Sequence, residues 1–266
     1  MPSYVIVGAS RGLGYEWLRQ LSKDAGNTVI GLARTPGPVE DKLRADNITN
    51  VKVFQADMAD HRTLNAAAAR VSALTNGALD YLVINGVFSD PQTMSVTPRG
   101  FIGKEDVLRK DMISGLDVNV LGAAYSINAF LPLIEKGTVK KIVAISTGMA
   151  DPEALLDWGF SQFVTYSTIK AALNMIVVKY AIELKKDGIT VLAVSPGLVN
   201  TRETPPTPQE VQEFTALVKT MQTTYPNFQG PISPEESVTA VRKVIDSVGI
   251  EQTGQFVSHW GNKKWL

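Results

Sequence analysis

Short apolar runs alternate with longer stretches of helical spacing along the whole chain, and this alternation constrains the fold more than any other feature. The apolar runs are rich in β-branched side chains and too short to be buried helices; they cover residues 4–7, 28–33, 51–55, 81–84, 141–145, 190–194 and 255–257. The stretches with helical spacing include residues 14–25, 61–74, 104–116 and 166–186. Strands that are apolar throughout need helices on both faces of a parallel sheet. The pattern therefore predicts one doubly wound α/β domain over residues 1–266, with about seven parallel strands.

Composition removes several classes of function. Lys and Arg number 26 and Asp and Glu number 26, so the net charge is zero and nothing favours a nucleic-acid partner. The chain has no Cys and two His, His61 and His259, which predicts neither a disulfide framework nor a metal site. The longest uncharged run, residues 118–134, contains two Asn, a Ser and a Pro and is too polar to span a bilayer. With no secretory leader visible, we expect a cytoplasmic protein without a membrane partner.

Residues 198–232 break the regular alternation. This insert holds a helical piece at residues 209–221 and five prolines, Pro205, Pro206, Pro208, Pro226 and Pro231. A Pro-bounded insert in a compact α/β domain is typical of a lid or a substrate-binding loop. Directly after it, Ser233 and Glu236 form a capping box with Pro234 at the first helical position, which predicts the start of another helix.

The first strand runs into a glycine-rich turn and then a helix. Three glycines form the pattern GxxxGxG, and the turn consists of Gly8, Ser10, Arg11, Gly12, Leu13 and Gly14 together with Ala9. Glycine lets the backbone approach a pyrophosphate, whose charge is met by the free N–H groups of the helix start. The turn therefore predicts a dinucleotide site, with a purely structural turn as the alternative. The same residues fit G-x-S-x-G, but a nucleophile elbow follows several strands, which argues against Ser10 as a hydrolase nucleophile.

The end of the second strand indicates which dinucleotide binds. An acidic residue about 20 positions after the glycines would bond the ribose 2′-OH of NAD. Here Arg34 follows neutral Ala33, and an Arg can hold a 2′-phosphate with two hydrogen bonds. Arg11 in the turn offers a second positive charge. The pair predicts NADP(H) as the cofactor, and solvated surface arginines are the alternative.

Tyr166 and Lys170 are four positions apart at the start of a predicted helix, hence on one face. A tyrosine titrates near 10, and a nearby ammonium favours the phenolate and lowers the pKa toward neutral pH. The pair is therefore a candidate for acid–base catalysis. Upstream, a strand ends in Ser146 and Thr147, at the edge of the sheet where open α/β folds bind ligands.

With these residues in place, the chain resembles the short-chain dehydrogenase/reductase (SDR) family over essentially its full length. The residues that carry the resemblance are Gly8, Gly12, Gly14, Asp57, Asn85, Asn119, Ser146, Thr147, Tyr166, Lys170, Ser195, Pro196, Gly197 and Thr201. Two features depart from the family pattern. Its usual Ser-Ser is Ser146-Thr147 here, and its usual Asn-Asn-Ala-Gly is Ile84-Asn85-Gly86-Val87.

The resemblance implies a Rossmann-type fold and a role for each matching residue. Tyr166 would exchange a proton with the substrate oxygen, Lys170 would hold the nicotinamide ribose and lower the Tyr166 pKa, and Asn119 would hold a water. A strand-end hydroxyl would bind the substrate oxygen; Thr147 is favoured, with Ser146 as the alternative. The further expected cofactor contacts are Asp57 and Met58 near the adenine, Asn85 and Gly86, and Pro196, Gly197, Val199 and Thr201 near the nicotinamide.

The implied activity is NADPH-dependent reduction of a small carbonyl compound to an alcohol, or the reverse, by a homodimer or homotetramer. Reduction of C=N or C=C bonds on the same scaffold stays open, as does a regulatory protein that senses the cofactor without turnover. Six aromatic residues are either core or the wall of a pocket for a bulky aromatic substrate: Trp158, Phe160, Phe163, Phe214, Tyr225 and Phe228.

Overall fold

Seven parallel strands form the centre of the protein. A computed structural model describes residues 1–202, 204, 207, 211–212, 215, 218–219, 221–223 and 225–266. The strands are β1 Ser3–Val7, β2 Thr28–Ala33, β3 Val51–Gln55, β4 Tyr81–Ile84, β5 Lys141–Ile145, β6 Thr190–Ser195 and β7 Phe256–Ser258. Their order is β3-β2-β1-β4-β5-β6-β7, and every adjacent pair is parallel. The predicted Rossmann-type sheet is confirmed, with ends shifted by one residue in β1, β6 and β7.

Helices cover both faces of the sheet. They are α1 Gly12–Leu21, α2 Pro36–Ala45, α3 His61–Leu74, α4 Glu105–Gly115, α5 Gly122–Ile134, α6 Pro152–Trp158, α7 Val164–Leu184 and α8 Pro234–Ser247. Residues of α1, α2 and α8 share one buried apolar cluster with the strands, and residues of α3, α5 and α7 share the other. The sheet is thus buried on both sides, as its uninterrupted apolar strands predict.

The ends of helices α1 and α7 differ by two to four residues from the sequence expectation. Helix α1 begins two residues before the predicted start and ends four residues early, at Leu21. Helix α7 begins at Val164, after Phe163 in a left-handed conformation (φ 60°), and ends at Leu184, two residues before the predicted end. The capping box that starts α8 is confirmed, because Ser233 Oγ accepts from Glu236 N at 3.1 Å.

The insert at residues 198–232 has its two ends bonded to each other. Val199 and Ile232 form a parallel bridge, and the Ile232 N–H donates to Leu198 O at 2.9 Å. The described residues between 211 and 223 are helical. Pro205, Pro206, Pro208, Gln209 and Phe214, on which part of the prediction for this segment falls, lie outside the described residues.

A continuous helical stretch, Glu105–Ile134, is made of α4, a π-helical turn at Leu116–Leu121, and α5. By length and composition it is apolar enough to cross a bilayer, contrary to the expectation drawn from residues 118–134 alone, and half of its most apolar window is buried inside the protein. A core helix passes the same test. The π-helical turn brings Asn119 inward, where the residue is 1% exposed.

Candidate functional site

The glycine turn is built so closely that side chains are excluded from it. Gly8 has φ +82°, and a Cβ there would overlap the backbone of Gly86. A Cβ on Gly14 would overlap the Gly8 carbonyl oxygen. Asn85 Nδ2 donates to that same oxygen at 3.0 Å and ties the turn after β1 to the end of β4. The glycine pattern and the single retained Asn of the strand-four motif therefore belong to one local structure.

A cavity of about 220 Å³ lies against this turn; we call it the glycine-turn cavity. Its lining includes eight of the residues predicted for cofactor binding, Gly8, Ser10, Arg11, Arg34, Asp57, Met58, Asn85 and Gly86. Arg11 and Arg34 are both exposed, and neither guanidinium forms an ion pair within the described part of the chain. Two cations thus face a site whose backbone N–H groups also favour anions.

A second cavity of about 350 Å³ contains the Tyr166 side chain in its wall; we call it the tyrosine cavity. Six further predicted site residues line it, namely Leu13, Thr147, Pro196, Gly197, Val199 and Thr201. Val87 lines both cavities, so the two adjoin at the end of β4. These fifteen predicted residues therefore lie along one path at the carboxyl edge of the sheet, whereas Gly12, Gly14, Asn119, Ser146 and Lys170 line neither cavity.

Burial sets the protonation of Tyr166 and Lys170. It raises the pKa of Tyr166, and a hydrogen bond with Thr147 offsets part of that rise. Burial lowers the pKa of Lys170 to about 8, and Lys170 Nζ donates to Ile145 O at 2.8 Å. The expected lowering of the Tyr166 pKa by Lys170 is therefore not seen in this structure. Enclosure in protein disfavours the phenolate, and the Lys170 amine is engaged by a backbone carbonyl.

The two strand-end hydroxyls point to different neighbours. Ser146 is 3% exposed, and its Oγ donates to Asn174 Oδ1 at 2.7 Å, on helix α7. Thr147 instead lines the tyrosine cavity together with Tyr166, and its hydroxyl lowers the pKa of Tyr166 against the effect of burial. Of this pair, the structure brings only Thr147 together with Tyr166.

The Asn119 side chain holds the chain after β4. Its Oδ1 accepts from Phe88 N and its Nδ2 donates to Phe88 O, both at 2.9 Å. Phe88 lines the glycine-turn cavity. Asn119 thus fixes the loop beside that cavity, and its expected contact with a water stays a prediction from the sequence.

Asp111 of α4 is a buried carboxylate that the sequence analysis missed. Its Oδ2 accepts from Thr93 Oγ1 and from Thr165 Oγ1, both at 2.6 Å. Thr165 precedes Tyr166, and Thr93 precedes Met94, which lines the tyrosine cavity. Asp111 therefore fixes the first turn of α7 against the loop after β4. An Asp in a polar helix gives no sequence signal of such a contact.

Other missed residues come from the far end of the chain. Trp265 is 2% exposed, stacks on Phe256 at a centroid distance of 4.4 Å, and lines the tyrosine cavity together with Leu266. A Cβ on Gly148 would lie 2.7 Å from the Trp265 Cβ, so these elements pack tightly. No motif marks Trp265, because its position depends on long-range packing.

The predicted aromatic wall is partly assembled. Trp158 and Phe163 line the tyrosine cavity, and Phe160 packs against Trp158 at 5.9 Å. His61 is exposed beside Tyr125, at a centroid distance of 5.7 Å. Within the residues that the structure describes, no group of three or more His, Cys, Asp or Glu could hold a metal ion.

The parallel sheet, the glycine turn and the cavities at its carboxyl edge define a Rossmann-type α/β protein. The model of the short chain dehydrogenase family matches residues 3–212. The chain is 40% identical to the short-chain dehydrogenase/reductase AacuF of Aspergillus aculeatus and 39% identical to the short chain dehydrogenase virK of Hypocrea virens, with complete coverage of both chains in each case. This protein therefore belongs to the short-chain dehydrogenase/reductase family and is an oxidoreductase of that family.

Solved structures show the same fold. A carbonyl reductase from chicken fatty liver, determined with NADPH bound, superimposes with a TM-score of 0.76 at 21% sequence identity. The alignment covers 98% of this chain and 93% of the chicken chain. At this level of identity the likeness concerns the fold.

Proposed function

We propose that this protein is an NADPH-dependent carbonyl reductase, composed of a single domain over residues 1–266, with Tyr166 as its acid–base group. The observation that carries the proposal is the tyrosine cavity, where the Tyr166 and Thr147 side chains lie together beside the glycine-turn cavity. The NADPH bound by the chicken carbonyl reductase of the same fold supports the choice of cofactor and of reaction.

The residues present fit a dinucleotide. Any side chain at Gly8 or Gly14 would collide with neighbouring backbone. Because both positions are glycine, the backbone of the turn can approach a pyrophosphate closely. Arg11 and Arg34 would hold a 2′-phosphate, and Asp57 would contact the adenine end, since all three line the glycine-turn cavity. Lys170 would hold the ribose of the nicotinamide half. When bound, NADPH supplies the hydride that reduces the substrate.

Tyr166 is suited to donate a proton. Because burial raises its pKa, the side chain is a neutral phenol at pH 7, the form that reduction of a carbonyl consumes. Thr147 lines the same cavity as the phenol and offers a hydroxyl to the substrate oxygen. We assign the substrate-binding hydroxyl to Thr147 because Ser146 is bonded to Asn174. Burial lowers the pKa of Lys170 to about 8. Contacts with a bound ligand would favour the ammonium form of Lys170 and so increase its positive charge beside Tyr166.

The proposed substrate is an uncharged, largely apolar ketone or aldehyde. The described lining of the tyrosine cavity contains Tyr166 as its single titratable side chain, next to hydroxyls such as Ser89 and Thr201. A charged substrate would meet no partner there, and burying an unpaired charge is costly. A cytoplasmic location and a homodimer or homotetramer stay predictions from the sequence.

The test is NADPH oxidation with a panel of ketones, comparing the wild type with Tyr166→Phe. General acid catalysis contributes on the order of 10²–10⁴-fold, so kcat should fall by about that factor while NADPH still binds. Tyr180→Phe on the same helix is the matched control, because the Tyr180 hydroxyl bonds Asn128 at 2.6 Å, outside the tyrosine cavity.

Two results would contradict the proposal. Full turnover in Tyr166→Phe would remove the assigned proton donor. NADPH binding without oxidation across the panel would favour the regulatory alternative, whereas activity with imines or activated alkenes alone would move the reaction to C=N or C=C reduction.

A further inference from the structure

A third cavity, of about 480 Å³, opens beside the tyrosine cavity; we call it the outer cavity. It is lined by the end of the insert and by the segment after β7, including Tyr225, Phe228, His259, Trp260 and Lys264. Leu198 and Leu266 line both this cavity and the tyrosine cavity. The two spaces are therefore neighbours separated by a partition that contains these two leucine side chains.

His259 gives the outer cavity a polar group fixed in an apolar wall. The residue is 5% exposed, and its Nδ1 is buried without a hydrogen-bond partner. Its ring lies against Gly197, where a Cβ would be 2.9 Å from the ring Cε1, and next to the Trp260 ring at a centroid distance of 4.4 Å. With Nδ1 enclosed, Nε2 is the nitrogen that a ligand in the cavity can reach.

The surroundings of His259 make it a neutral hydrogen-bonding group. Burial lowers its pKa below the ordinary value, so the imidazole carries one N–H at neutral pH and serves as a single donor or acceptor. Aromatic residues such as Tyr225, Phe228 and Trp260 line the same cavity. An apolar site with one placed polar group recognises a flat, apolar ligand part that ends in one polar atom.

We propose that the outer cavity is a second subsite for the substrate, and this inference rests on the proposed reductase function. The carbonyl end of the substrate lies at Tyr166, and an aromatic arm extends past Leu198 into the outer cavity. A hydroxyl or carbonyl oxygen at the far end of the arm bonds His259 Nε2. The substrate class is thus an uncharged aryl ketone of two or more rings with an oxygen remote from the reacting carbonyl. Volumes of about 350 and 480 Å³ lie in the range of small-molecule sites.

Three matched ketones test the subsite: acetophenone, 4-acetylbiphenyl and 4-acetyl-4′-hydroxybiphenyl. The wild type should reduce the hydroxylated biphenyl with a kcat/KM about 2- to 10-fold above that of the plain biphenyl, the range of one net hydrogen bond. His259→Phe, which keeps a ring against Gly197, should abolish this advantage and leave acetophenone reduction and the KM for NADPH unchanged. His259→Gln should restore much of the advantage, since its amide reaches about as far as Nε2.

Two further variants separate the contributions of the wall. Trp260→Ala removes a ring that is 60% exposed and should lower kcat/KM for both biphenyls but not for acetophenone. As a control, Lys243→Met should leave all three ketones unchanged, because Lys243 is exposed and lines none of the three cavities. An equal loss for all three ketones in His259→Phe would show that His259 acts through Gly197 and would overturn the subsite.

Calorimetric binding keeps the subsite distinct from the reductase function. With NADP⁺ present, the hydroxylated biphenyl should bind His259→Phe about 2- to 10-fold more weakly than the wild type. Weaker binding without turnover by either protein would overturn the proposed reaction and keep the subsite. Equal binding to both proteins would overturn the subsite whatever the turnover.

Discussion

The glycine-turn cavity is shaped mainly by backbone atoms, whereas the tyrosine cavity is lined mainly by side chains. The first is shaped by backbone, because a Cβ on Gly8 would overlap the Gly86 backbone and a Cβ on Gly14 would overlap the Gly8 carbonyl oxygen. The second is walled by side chains that arrive from distant segments, such as Met94, Trp158 and Trp265. A backbone-shaped site tolerates almost no substitution, whereas a side-chain wall can be varied without changing the fold. This difference predicts where the protein is fixed by its family and where its substrate choice resides.

The strongest test of the backbone-shaped half is Gly8→Ala. A left-handed φ costs a non-glycine residue about 1–3 kcal/mol, and overpacking against Gly86 adds about 1–3 kcal/mol. We expect the free energy of unfolding to fall by the sum and NADPH binding to be lost in calorimetry. Gly103→Ala has a similar φ of +76° but open space, and Gly37→Ala meets nothing within 4 Å. Equal stability of Gly8→Ala and Gly103→Ala would contradict a turn limited by contact.

The stability of the protein should depend on pH through Lys170, which lies one helical turn after Tyr166 on α7. Burial holds the pKa of Lys170 at about 8 against 10.5 in an unfolded chain. Between these values the unfolded chain binds one more proton, so stability from this group rises with pH, by ~3 kcal/mol over the whole interval. Urea unfolding at pH 8 and pH 10 should show this rise in the wild type relative to Lys170→Met. Parallel behaviour of the two proteins would mean that Lys170 is not held in a medium that disfavours its charge.

We propose that charge at the glycine-turn cavity decides which dinucleotide binds, and a charge reversal tests this. Arg34→Asp removes a charged hydrogen-bond donor, a contact of about 1.5–3 kcal/mol, so KM for NADPH should rise about 10- to 100-fold. KM for NADH should stay the same or fall. Arg62→Asp is the control, since Arg62 is exposed and is not among the residues that line the glycine-turn cavity. An unchanged preference in Arg34→Asp would count against the assignment of NADP(H).

The smallest effect distinguishes two adjacent residues. Thr147→Val keeps the shape but loses one hydroxyl bond, so kcat should fall about 10-fold. Ser146→Ala loses the bond to Asn174 and should lower the unfolding midpoint while changing kcat by less than about 2-fold. Thr147→Ser should retain most of the activity. The reverse pattern would transfer the substrate hydroxyl to Ser146.

The same difference explains how much the sequence could predict. Strand positions are confirmed to within a residue, because a parallel sheet that is buried on both faces requires strands that are apolar throughout. The glycine turn and the position of Arg34 at the glycine-turn cavity were predictable, since both follow directly from residues next to strand ends; the role of Arg34 toward the cofactor stays a prediction. Asp111 and Trp265 were not, because each acts through partners dozens of residues away. The direction of the Tyr166 pKa was also missed, since spacing along a helix does not give the depth of burial.

The bridge between Val199 and Ile232 has a consequence for engineering. The two ends of the insert are hydrogen-bonded to each other. We therefore expect that the segment between these two residues can be exchanged between relatives without disturbing the sheet. Grafts cut at these two ends that keep Val199 and Thr201, the expected nicotinamide contacts, should transfer selectivity for the ketone and leave nucleotide binding by the recipient intact.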